Sequence, residues 1–301
     1  AGRKILMLEP RRIAARGAAE RMAQLLGEAV GETVGYRVRL ESRVSGKTRI
    51  EVITEGILQR MLQDDPSLEQ VGLLIFDEFH ERSLNADLGL ALALEGRRLF
   101  SELRDAPLKL LLMSATLNGD ALSEYLNNAP VLRSEGRQYP VDIHYQALAK
   151  RRDGRAPDYL EQMQRCILAA HSQHAGNILA FLPGQADIHR LAGRLAPALD
   201  SHTLIAPLYG NLSLAEQRRA IATPPPGQRK LVLATNIAES SLTIDGVNIV
   251  IDSGLERTMV FDARNGSSRL HTQRISAASA AQRAGRAGRQ APGVAYRLWS
   301  E

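Results

Sequence analysis

Residues 71–80 read VGLLIFDEFH, and this stretch decides how the chain folds. The part at residues 71–76 is an uninterrupted apolar run, which predicts a strand covered on both faces in a parallel sheet. Two acids, Asp77 and Glu78, follow the run directly, so charged side chains come where the buried strand ends. Ligands of open parallel sheets bind outside the carboxyl ends of the strands, so this junction is a candidate binding site.

Runs of the same kind recur along the chain, separated by segments with helical patterns. The apolar runs are residues 4–8, 49–53, 71–76 and 108–113 in the first half and 177–181, 203–208, 230–234 and 247–251 in the second. The helical patterns cover residues 12–26, 84–100, 186–198 and 214–221. Strands that alternate with helices predict an α/β fold in which each half of the chain forms a mainly parallel sheet flanked by helices.

A polar segment at residues 133–140, which contains Gly136 and ends in a proline, separates the two halves. We therefore predict a first domain at residues 1–136 and a second domain at residues 137–301. Within the second domain, Asn265 and Gly266 lie between two strand-like runs. This dipeptide is typical of a tight turn between antiparallel strands, so the sequence predicts a β-hairpin in the second domain.

The composition is that of a globular chain, since 44% of the 301 residues are hydrophobic and 24% are charged. No apolar run approaches the roughly 20 residues of a membrane span, so no membrane partner is expected. The one cysteine, Cys166, cannot form an intrachain disulfide or a zinc site, which is typical of a cytoplasmic protein. The formal net charge of +5 permits a polyanion partner without requiring one, and 4% aromatic residues argue against base stacking on an aromatic platform.

Polar clusters follow other predicted strands as well, at residues 9–12, 54–56, 114–116 and 235–236. Their register with the strands favours binding at the carboxyl edges of the sheets. An aspartate at the end of a buried strand, like Asp77, is typical of a Mg²⁺ ligand, and an adjacent glutamate, like Glu78, can orient and deprotonate a water. The alternative is that these two acids simply begin a solvated loop.

A second informative stretch is residues 282–289, QRAGRAGR. In an α-helix, about 100° per residue would put Gln282, Arg286 and Arg289 on one stripe and turn Arg283 away from it. Guanidinium groups bind phosphate bidentately and keep their charge, so this stripe would suit a polyphosphate. A solvated basic helix face is the alternative.

In this order and spacing, the motifs resemble those of the DEAH-box helicases of superfamily 2, over essentially the whole chain. The matching segments are residues 9–12 (EPRR, motif Ia), 54–56 (TEG, Ib), 77–82 (DEFHER, II), 114–116 (SAT, III), 181–184 (FLPG, IV), 208–210 (LYG), 234–244 (ATNIAESSLTI, V) and 282–289 (VI). Phe79 stands where the family name implies alanine, and this departure favours one bacterial branch of the family.

The resemblance implies two tandem RecA-like domains, with ATP and Mg²⁺ in the cleft between them. Asp77 would hold Mg²⁺ through water, and Glu78 would be the catalytic base. The other residues implied in the reaction are Gln282, Arg286 and Arg289 as catalytic contacts to phosphate and His80, Ser114 and Thr116 as coupling residues. The intact protein is therefore expected to be an ATP-dependent RNA helicase that translocates on or unwinds its substrate.

Nucleic-acid contacts are implied on motifs Ia, Ib, IV and V, with RNA as the expected partner and DNA as the alternative. The residues concerned are Arg11, Arg12, Thr54, Gly56, Gly184, Thr235 and Asn236. Their polar groups can bind sugar and phosphate without reading bases. The dipole disfavours cations at a helix N-terminus, so two arginines at a predicted helix start favour a phosphate partner over an ordinary exposed helix start. The hairpin lies where the family carries one associated with strand separation, and a surface ribbon is its alternative.

One family motif is missing, namely the P-loop Gly-x-x-x-x-Gly-Lys-Ser/Thr. The tripeptide GKT at residues 46–48 has Glu41 where the first glycine should be, and it precedes a predicted strand instead of opening a helix. We expect the P-loop upstream of Ala1 and a further C-terminal region, and we expect residues 1–301 alone to be inactive. Two alternatives remain: a non-catalytic nucleic-acid-binding module, and another superfamily 2 motor such as a DNA translocase, against which motif V and the hairpin argue.

Overall fold

The computed structural model describes residues 2–115, 119–134, 136, 139–147, 158–239, 242 and 244–301. Its contacts divide the chain into two compact units, which we call unit 1 (Ala1–Leu132) and unit 2 (Arg133–Glu301). This division lies close to the domain boundary that the polar segment predicts. Within the described residues, no helix combines the length and the apolar character needed to cross a membrane.

Unit 1 is a six-stranded sheet flanked by helices. Its strands are β1 (Lys4–Glu9), β2 (Val34–Val38), β3 (Glu41–Arg43), β4 (Ile50–Thr54), β5 (Val71–Phe76) and β6 (Lys109–Leu112), in the spatial order β3-β2-β4-β1-β5-β6. Its helices are α1 (Arg12–Leu26), α2 (Glu55–Asp64), α3 (Leu84–Leu99) and α4 (Gly119–Tyr125). The paired strands are parallel except for β2 and β3, which are antiparallel.

The two faces of this sheet have separate hydrophobic cores, which confirms that the central strands are covered on both sides. On one face, Ala15, Ala19 and Ala23 of α1 belong to a core with β2 and β4. Residues spaced by four lie on one side of a helix, and alanine lets that side approach the sheet closely. On the other face, Leu58 of α2 and Leu90 of α3 pack with the buried residues of β1 and β5.

Unit 2 contains a second mainly parallel sheet. Its strands are β7 (Val141–Tyr145), β8 (Asn177–Phe181), β9 (Thr203–Leu208), β10 (Arg229–Ala234), β11 (Val247–Asp252), β12 (Leu255–Asp262), β13 (Ser267–Arg274) and β14 (Gly293–Arg297). Six of them form a parallel sheet in the order β7-β14-β11-β8-β10-β9. The helices are α5 (Tyr159–Gln173), α6 (Gln185–Leu195), α7 (Leu214–Ile221) and α8 (Ala277–Gly285).

Strands β12 and β13 form the predicted antiparallel hairpin, with Asn265 and Gly266 between them. Gly266 has φ +64°, a conformation that glycine adopts without strain, which explains why the turn needs this residue. Near the turn, Met259, Phe261 and Leu270 lie on one face of the hairpin and are each more than 60% exposed. The hairpin therefore presents an apolar surface to solvent.

The structure adds strands β2, β3 and β7 to those that the apolar pattern predicts. Strand β3 is short and has no buried residue, and β7 lies at the edge of its sheet with an exposed centre. Gly35 interrupts the apolar run of β2 because the backbone of Arg43 comes so close that a Cβ at residue 35 would lie 2.3 Å from the Arg43 oxygen. A search for continuous apolar runs therefore missed β3 and β7 because they are exposed, and it missed β2 because a glycine interrupts its apolar residues.

The only cysteine provides a test of the unit 2 core. Cys166 lies on the buried face of α5, and burial raises the pKa of its thiol to about 12. Because the thiolate is the reactive form, we expect iodoacetamide at pH 8 to alkylate the folded protein at least tenfold more slowly than the urea-unfolded protein. Mass spectrometry of timed samples measures both rates, and equal rates would contradict the burial of α5.

Candidate functional site

The carboxyl edge of the unit 1 sheet brings together residues from neighbouring strands. Strands β1 and β5 pair in parallel with Leu8 opposite Phe76, so Glu9 at the end of β1 lies beside Asp77. The Asp77 amide donates to the Leu8 carbonyl at 3.0 Å, which fixes the start of the motif II turn to β1. The two acids predicted to follow a buried strand therefore do lie at the edge where parallel α/β sheets bind ligands.

Glu78 has an unusual backbone. Its φ of 50° and ψ of 35° are left-handed, a conformation that a residue with a Cβ seldom adopts. The Asp77 side chain stabilises it, because Oδ1 of Asp77 accepts a hydrogen bond of 2.8 Å from the Glu78 amide. Strained backbone is concentrated at functional sites, where it directs a side chain that regular structure would turn elsewhere.

His80 connects motif II to the strand beside it. Its Nε2 lies 3.2 Å from Oε2 of Glu78, and its Nδ1 accepts a hydrogen bond of 3.4 Å from the Ala115 amide. The imidazole is almost fully buried, so its position is fixed by these contacts. Ser114 is exposed next to this contact, whereas the predicted coupling residue Thr116 lies outside the described residues.

Phe79, the departure from the family name, has a packing role. Its ring is buried and meets the Phe76 ring edge-to-face at 6.0 Å, and the Arg82 guanidinium lies 5.5 Å from the centre of the Phe79 ring. Alanine could not fill this space. The phenylalanine thus anchors the turn that carries Asp77 and Glu78 without taking part in their polar contacts.

Glu9 is a residue of this edge that the sequence did not single out. Burial, followed by the charge of Asp77, raises the pKa of its carboxyl to about 9. Glu9 is 3% exposed, and its Oε2 has no hydrogen-bond partner among the described residues. Carboxyl oxygens are the ligands that Mg²⁺ prefers, so this donor set fits a magnesium ion held by Asp77.

The predicted nucleic-acid residues of unit 1 differ in their surroundings. Arg11 precedes α1, and its Nη2 lies 3.2 Å from Oε2 of Glu81, so a carboxylate from motif II offsets the unfavourable helix-dipole position of this cation. Arg12 is exposed. At the start of α2, Thr54 is half-buried and makes no side-chain capping bond, and Gly56 is exposed with open space around it.

The carboxyl edge of the unit 2 sheet carries the motif V residues. Thr235 and Asn236 follow β10 and are half-buried. The Thr235 amide donates to the Leu208 carbonyl at 3.1 Å, which ties the start of the motif V turn to the end of β9. Asn236 then begins a single 3₁₀ turn, Asn236–Ala238.

Gly184 of motif IV lies beneath an arginine of the hairpin. The glycine is buried, and a Cβ at this position would lie 2.9 Å from Nη1 of Arg257. Arg257 is itself exposed, and its Nε donates to Oγ1 of Thr272 across the hairpin at 3.4 Å. The cation over motif IV therefore comes from β12, and sequence reasoning missed it because the two residues are far apart in the chain.

Only the first half of residues 282–289 is α-helical. Helix α8 ends at Gly285, and a 3₁₀ turn, Arg286–Gly288, follows. Residues i and i+3 eclipse in a 3₁₀ turn, so Arg286 and Arg289 can still share a face, but the surroundings of the three side chains differ. Gln282 is half-buried, Arg289 is exposed and Arg286 is buried.

The side chain of Arg286 is turned toward the motif V segment. Its Nε donates to the Glu239 carbonyl at 3.0 Å, and its Nη1 donates to the Leu242 carbonyl. Arg283, which helical spacing turns away from Arg286 and Arg289, lies in the interior of unit 2. The three arginines of motif VI thus differ: Arg289 is exposed, Arg286 is buried against two backbone carbonyls, and Arg283 is fully buried.

Two family models match the chain, "DEAD/DEAH box helicase" over residues 1–125 and "Helicase conserved C-terminal domain" over residues 158–291. The ATP-dependent RNA helicase HrpB of Escherichia coli (strain K12) is 52% identical over 297 residues, which are 98% of this chain and 35% of that protein. The ATP-dependent RNA helicase HrpA of the same strain is 39% identical over 97% of this chain and 22% of that protein. A crystal structure of Escherichia coli DEAH/RHA helicase HrpB matches with a TM-score of 0.90 and 50% identity, over 100% of this chain and 37% of that chain.

These matches bear on the fold and the family. The chain spans about a third of the length of HrpB, and both family models fall within one unit each. The structural match confirms two RecA-like domains, each a mainly parallel sheet flanked by helices. The chain belongs to the DEAD/DEAH box helicases, and in sequence and fold it is similar to the bacterial DEAH-box helicase HrpB.

Proposed function

We propose that this chain is the motor core of an ATP-dependent RNA helicase, in which nucleotide hydrolysis drives movement on nucleic acid. The observation that carries the proposal is the conformation of Glu78 at the end of β5. Its strained backbone is stabilised by Asp77, and its carboxylate contacts His80, which in turn bonds Ala115 in motif III. Such over-determined geometry supports a catalytic carboxylate better than a solvated loop.

In this mechanism Glu78 orients the attacking water and accepts its proton, and His80 keeps the carboxylate in place. Asp77 would hold Mg²⁺, whose charge would offset that of the ATP phosphates. The buried carboxyl of Glu9, whose pKa is raised by burial and by the charge of Asp77, would offer a further oxygen to that ion. Each of these roles uses groups at one edge of the unit 1 sheet.

By the family resemblance, motif VI of unit 2 would contribute phosphate contacts to the same reaction. We assign Gln282 and Arg289 to phosphate contacts, since their side chains are not enclosed. The family resemblance gives Arg286 the same role, which would require its guanidinium to leave the carbonyls of Glu239 and Leu242. Fixed guanidinium groups stabilise the charge that spreads over the transferred phosphoryl group.

RNA would bind through its sugar-phosphate backbone to the carboxyl edges of both sheets. Thr54, Gly56, Thr235 and Asn236 offer hydroxyl, amide and backbone groups there. Arg257 adds the guanidinium that covers Gly184. The formal net charge of +5 is consistent with a polyanion partner.

Arg12 gives a direct test of the backbone contacts. Because its side chain is exposed at the start of α1, Arg12→Ala should weaken binding of single-stranded RNA about three- to tenfold without changing stability. The slope of log K against log salt concentration should fall by about 0.7, the value for one phosphate contact on a single strand. Fluorescence anisotropy at several salt concentrations measures both, and an unchanged slope would contradict a phosphate contact.

A non-catalytic nucleic-acid-binding module is the second candidate, because residues 1–301 contain no P-loop. Residues 46–48 do not supply one. Thr48 is buried, its hydroxyl donates to the Gly31 carbonyl at 3.1 Å and accepts from the Ser45 amide at 2.9 Å, so this threonine stabilises a turn before β4. Hydrolysis of ATP by the intact protein therefore requires a phosphate cradle from outside these residues.

The deciding experiment measures ATP hydrolysis by the intact protein with RNA, with DNA of the same sequence and with neither. The proposed helicase hydrolyses ATP faster with RNA than with DNA or alone. Equal stimulation by DNA would favour a DNA motor. RNA binding without ATP hydrolysis would favour the non-catalytic module. Strand separation of a tailed RNA duplex then distinguishes unwinding from hydrolysis alone.

A further inference from the structure

Arg283 is the largest fully buried side chain among the described residues, with 0% exposure. A buried cation is unfavourable unless partners surround it, so the contacts of Arg283 indicate which segments this side chain fixes in place. Nε lies 2.8 Å from Oε2 of Glu239, and Nη1 lies 2.9 Å from Oδ1 of Asp252. Burial opposes the charge of Arg283, but these two carboxylates outweigh burial and raise the pKa of the guanidinium.

Two further contacts complete the surroundings of this guanidinium. Nη1 also donates to the Leu255 carbonyl at 3.3 Å, and the guanidinium carbon lies 4.8 Å from the centre of the Phe181 ring. Leu255 is the first residue of the hairpin strand β12, and Phe181 is the last residue of β8, where motif IV begins. One side chain on α8 therefore contacts the end of β8, the end of β11, the base of the hairpin and the motif V segment.

Two arginines bind the same residue of the motif V segment, Glu239. Glu239 gives its carboxylate to Arg283 and its carbonyl to Arg286, whose Nε donates at 3.0 Å. At the hairpin base, Asp252 accepts both Arg283 and the Gly254 amide, the latter at 2.9 Å. Both carboxylate partners of Arg283 thus lie near residues that the proposed function assigns to RNA, namely Asn236 for Glu239 and Arg257 for Asp252.

A role in stability alone is a poor explanation for this arrangement. Well-packed apolar residues of similar volume are often as stabilising as a buried ion pair, because the pair loses hydration of both charges. A guanidinium, in contrast, fixes the orientation of its partners, since its planar, forked N–H groups bind carboxylates only in a defined geometry. Here the fork fixes two separate segments relative to one helix.

We propose that Arg283 is a positioning residue that fixes the motif V turn and the base of the β12–β13 hairpin to helix α8, so that changes in α8 during ATP turnover move both RNA-contacting segments together. This role rests on the proposed helicase function. Arg283 contacts neither nucleotide nor RNA in it. Its loss should therefore uncouple unwinding from hydrolysis instead of abolishing hydrolysis.

The test uses the intact protein and measures ATP hydrolysis without RNA, ATP hydrolysis with RNA, and base pairs unwound per ATP on a tailed RNA duplex. Arg283→Lys keeps the charge but loses the fork. We expect base pairs unwound per ATP to fall at least tenfold, while the RNA-free hydrolysis rate falls less than threefold. An unchanged ratio of unwinding to hydrolysis in Arg283→Lys would overturn the proposal.

A second variant separates positioning from stability. The double change Arg283→Met with Asp252→Asn removes the cation together with the more deeply buried of its two carboxylates and leaves only the Glu239 carboxylate without its ion pair, so its melting temperature should stay closer to that of the wild type than that of Arg283→Met alone. Positioning predicts that unwinding per ATP stays low in the double variant. Recovery of unwinding together with stability would show a purely structural role and overturn the proposal.

Arg229→Lys is the matched control. Arg229 is another arginine of unit 2, and it donates to the carbonyls of Gly176, His171 and His174 at the end of α5, away from the hairpin base. This variant should keep the wild-type ratio of unwinding to hydrolysis, and a tenfold loss in it would overturn a specific role for Arg283. If the wild-type protein lacks RNA-stimulated hydrolysis, the proposed function fails and this role fails with it. If the wild-type protein has RNA-stimulated hydrolysis and Arg283→Lys unwinds as many base pairs per ATP as the wild type, only this role fails.

Discussion

Replacing Glu78 by glutamine is expected to lower the kcat of RNA-stimulated ATP hydrolysis by roughly 10²- to 10⁴-fold, the contribution typical of a positioned general base. Glutamine has nearly the same volume and can still bond His80, but it cannot accept a proton from water. The left-handed backbone at residue 78 stays as strained as in the wild type, because both residues carry the same Cβ. The expected loss therefore reports on proton transfer and not on folding.

The measurement is steady-state ATP hydrolysis by the intact protein at saturating RNA. RNA affinity and the unfolding midpoint should match those of the wild type within error. Glu102→Gln is the matched control, since Glu102 is an exposed glutamate of the 3₁₀ turn Ser101–Leu103, away from the carboxyl edge. Hydrolysis retained in Glu78→Gln within threefold of the wild-type rate would remove Glu78 from the proposed role of base.

The elements with continuous burial could be predicted from sequence because their signal is local. The apolar runs at 71–76, 177–181 and 203–208 coincide with β5, β8 and β9, and the helical pattern at 12–26 coincides with α1. Each of these segments carries its signal in its own apolar residues, and this holds even for β9, which lies at the edge of its sheet. The same reasoning located Asp77 and Glu78, because a polar residue after a buried strand must lie at the edge of the sheet.

The conformation of the site could not be predicted in the same way, because it depends on residues far apart in sequence. The buried carboxyl of Glu9 is raised in pKa by its burial and by Asp77, which reaches it only through the pairing of β1 with β5. Arg257 covers Gly184 only because the hairpin starts next to the end of β8. Contacts of this kind cannot be predicted from the residue spacing within one segment.

Motif VI shows the limit most clearly. Its residues could be recognised, but not the change from α-helix to a 3₁₀ turn after Gly285. Another segment approaches this turn closely. The Tyr139 amide donates to the Gly288 carbonyl at 2.9 Å, so the chain before β7 lies directly against the 3₁₀ turn.

Gly288→Ala is therefore expected to lower the free energy of unfolding of unit 2 by about 1–3 kcal/mol, the range typical of overpacking. A Cβ at residue 288 would lie 2.4 Å from the Tyr139 oxygen and 2.7 Å from Cγ2 of Val141. The first of these atoms is a backbone oxygen of Tyr139, and the amide of the same residue bonds the Gly288 carbonyl, so the clash cannot be relieved by a side-chain rotation. Either the turn or the start of β7 must shift. Trp299, the only tryptophan, lies in unit 2, so denaturant unfolding followed by its fluorescence reports on this unit.

Gly285→Ala is the control, because it makes the same change three residues earlier in motif VI. No atom lies within 4 Å of the Cβ that it would add, and Gly285 has φ −58°, which alanine adopts readily. We expect its unfolding free energy to equal that of the wild type or to exceed it by up to about 1 kcal/mol, since alanine loses less chain entropy on folding than glycine. Equal values for the two variants would contradict the close approach at Tyr139. A loss confined to Gly288→Ala would show that the close approach of Tyr139 requires a glycine at residue 288.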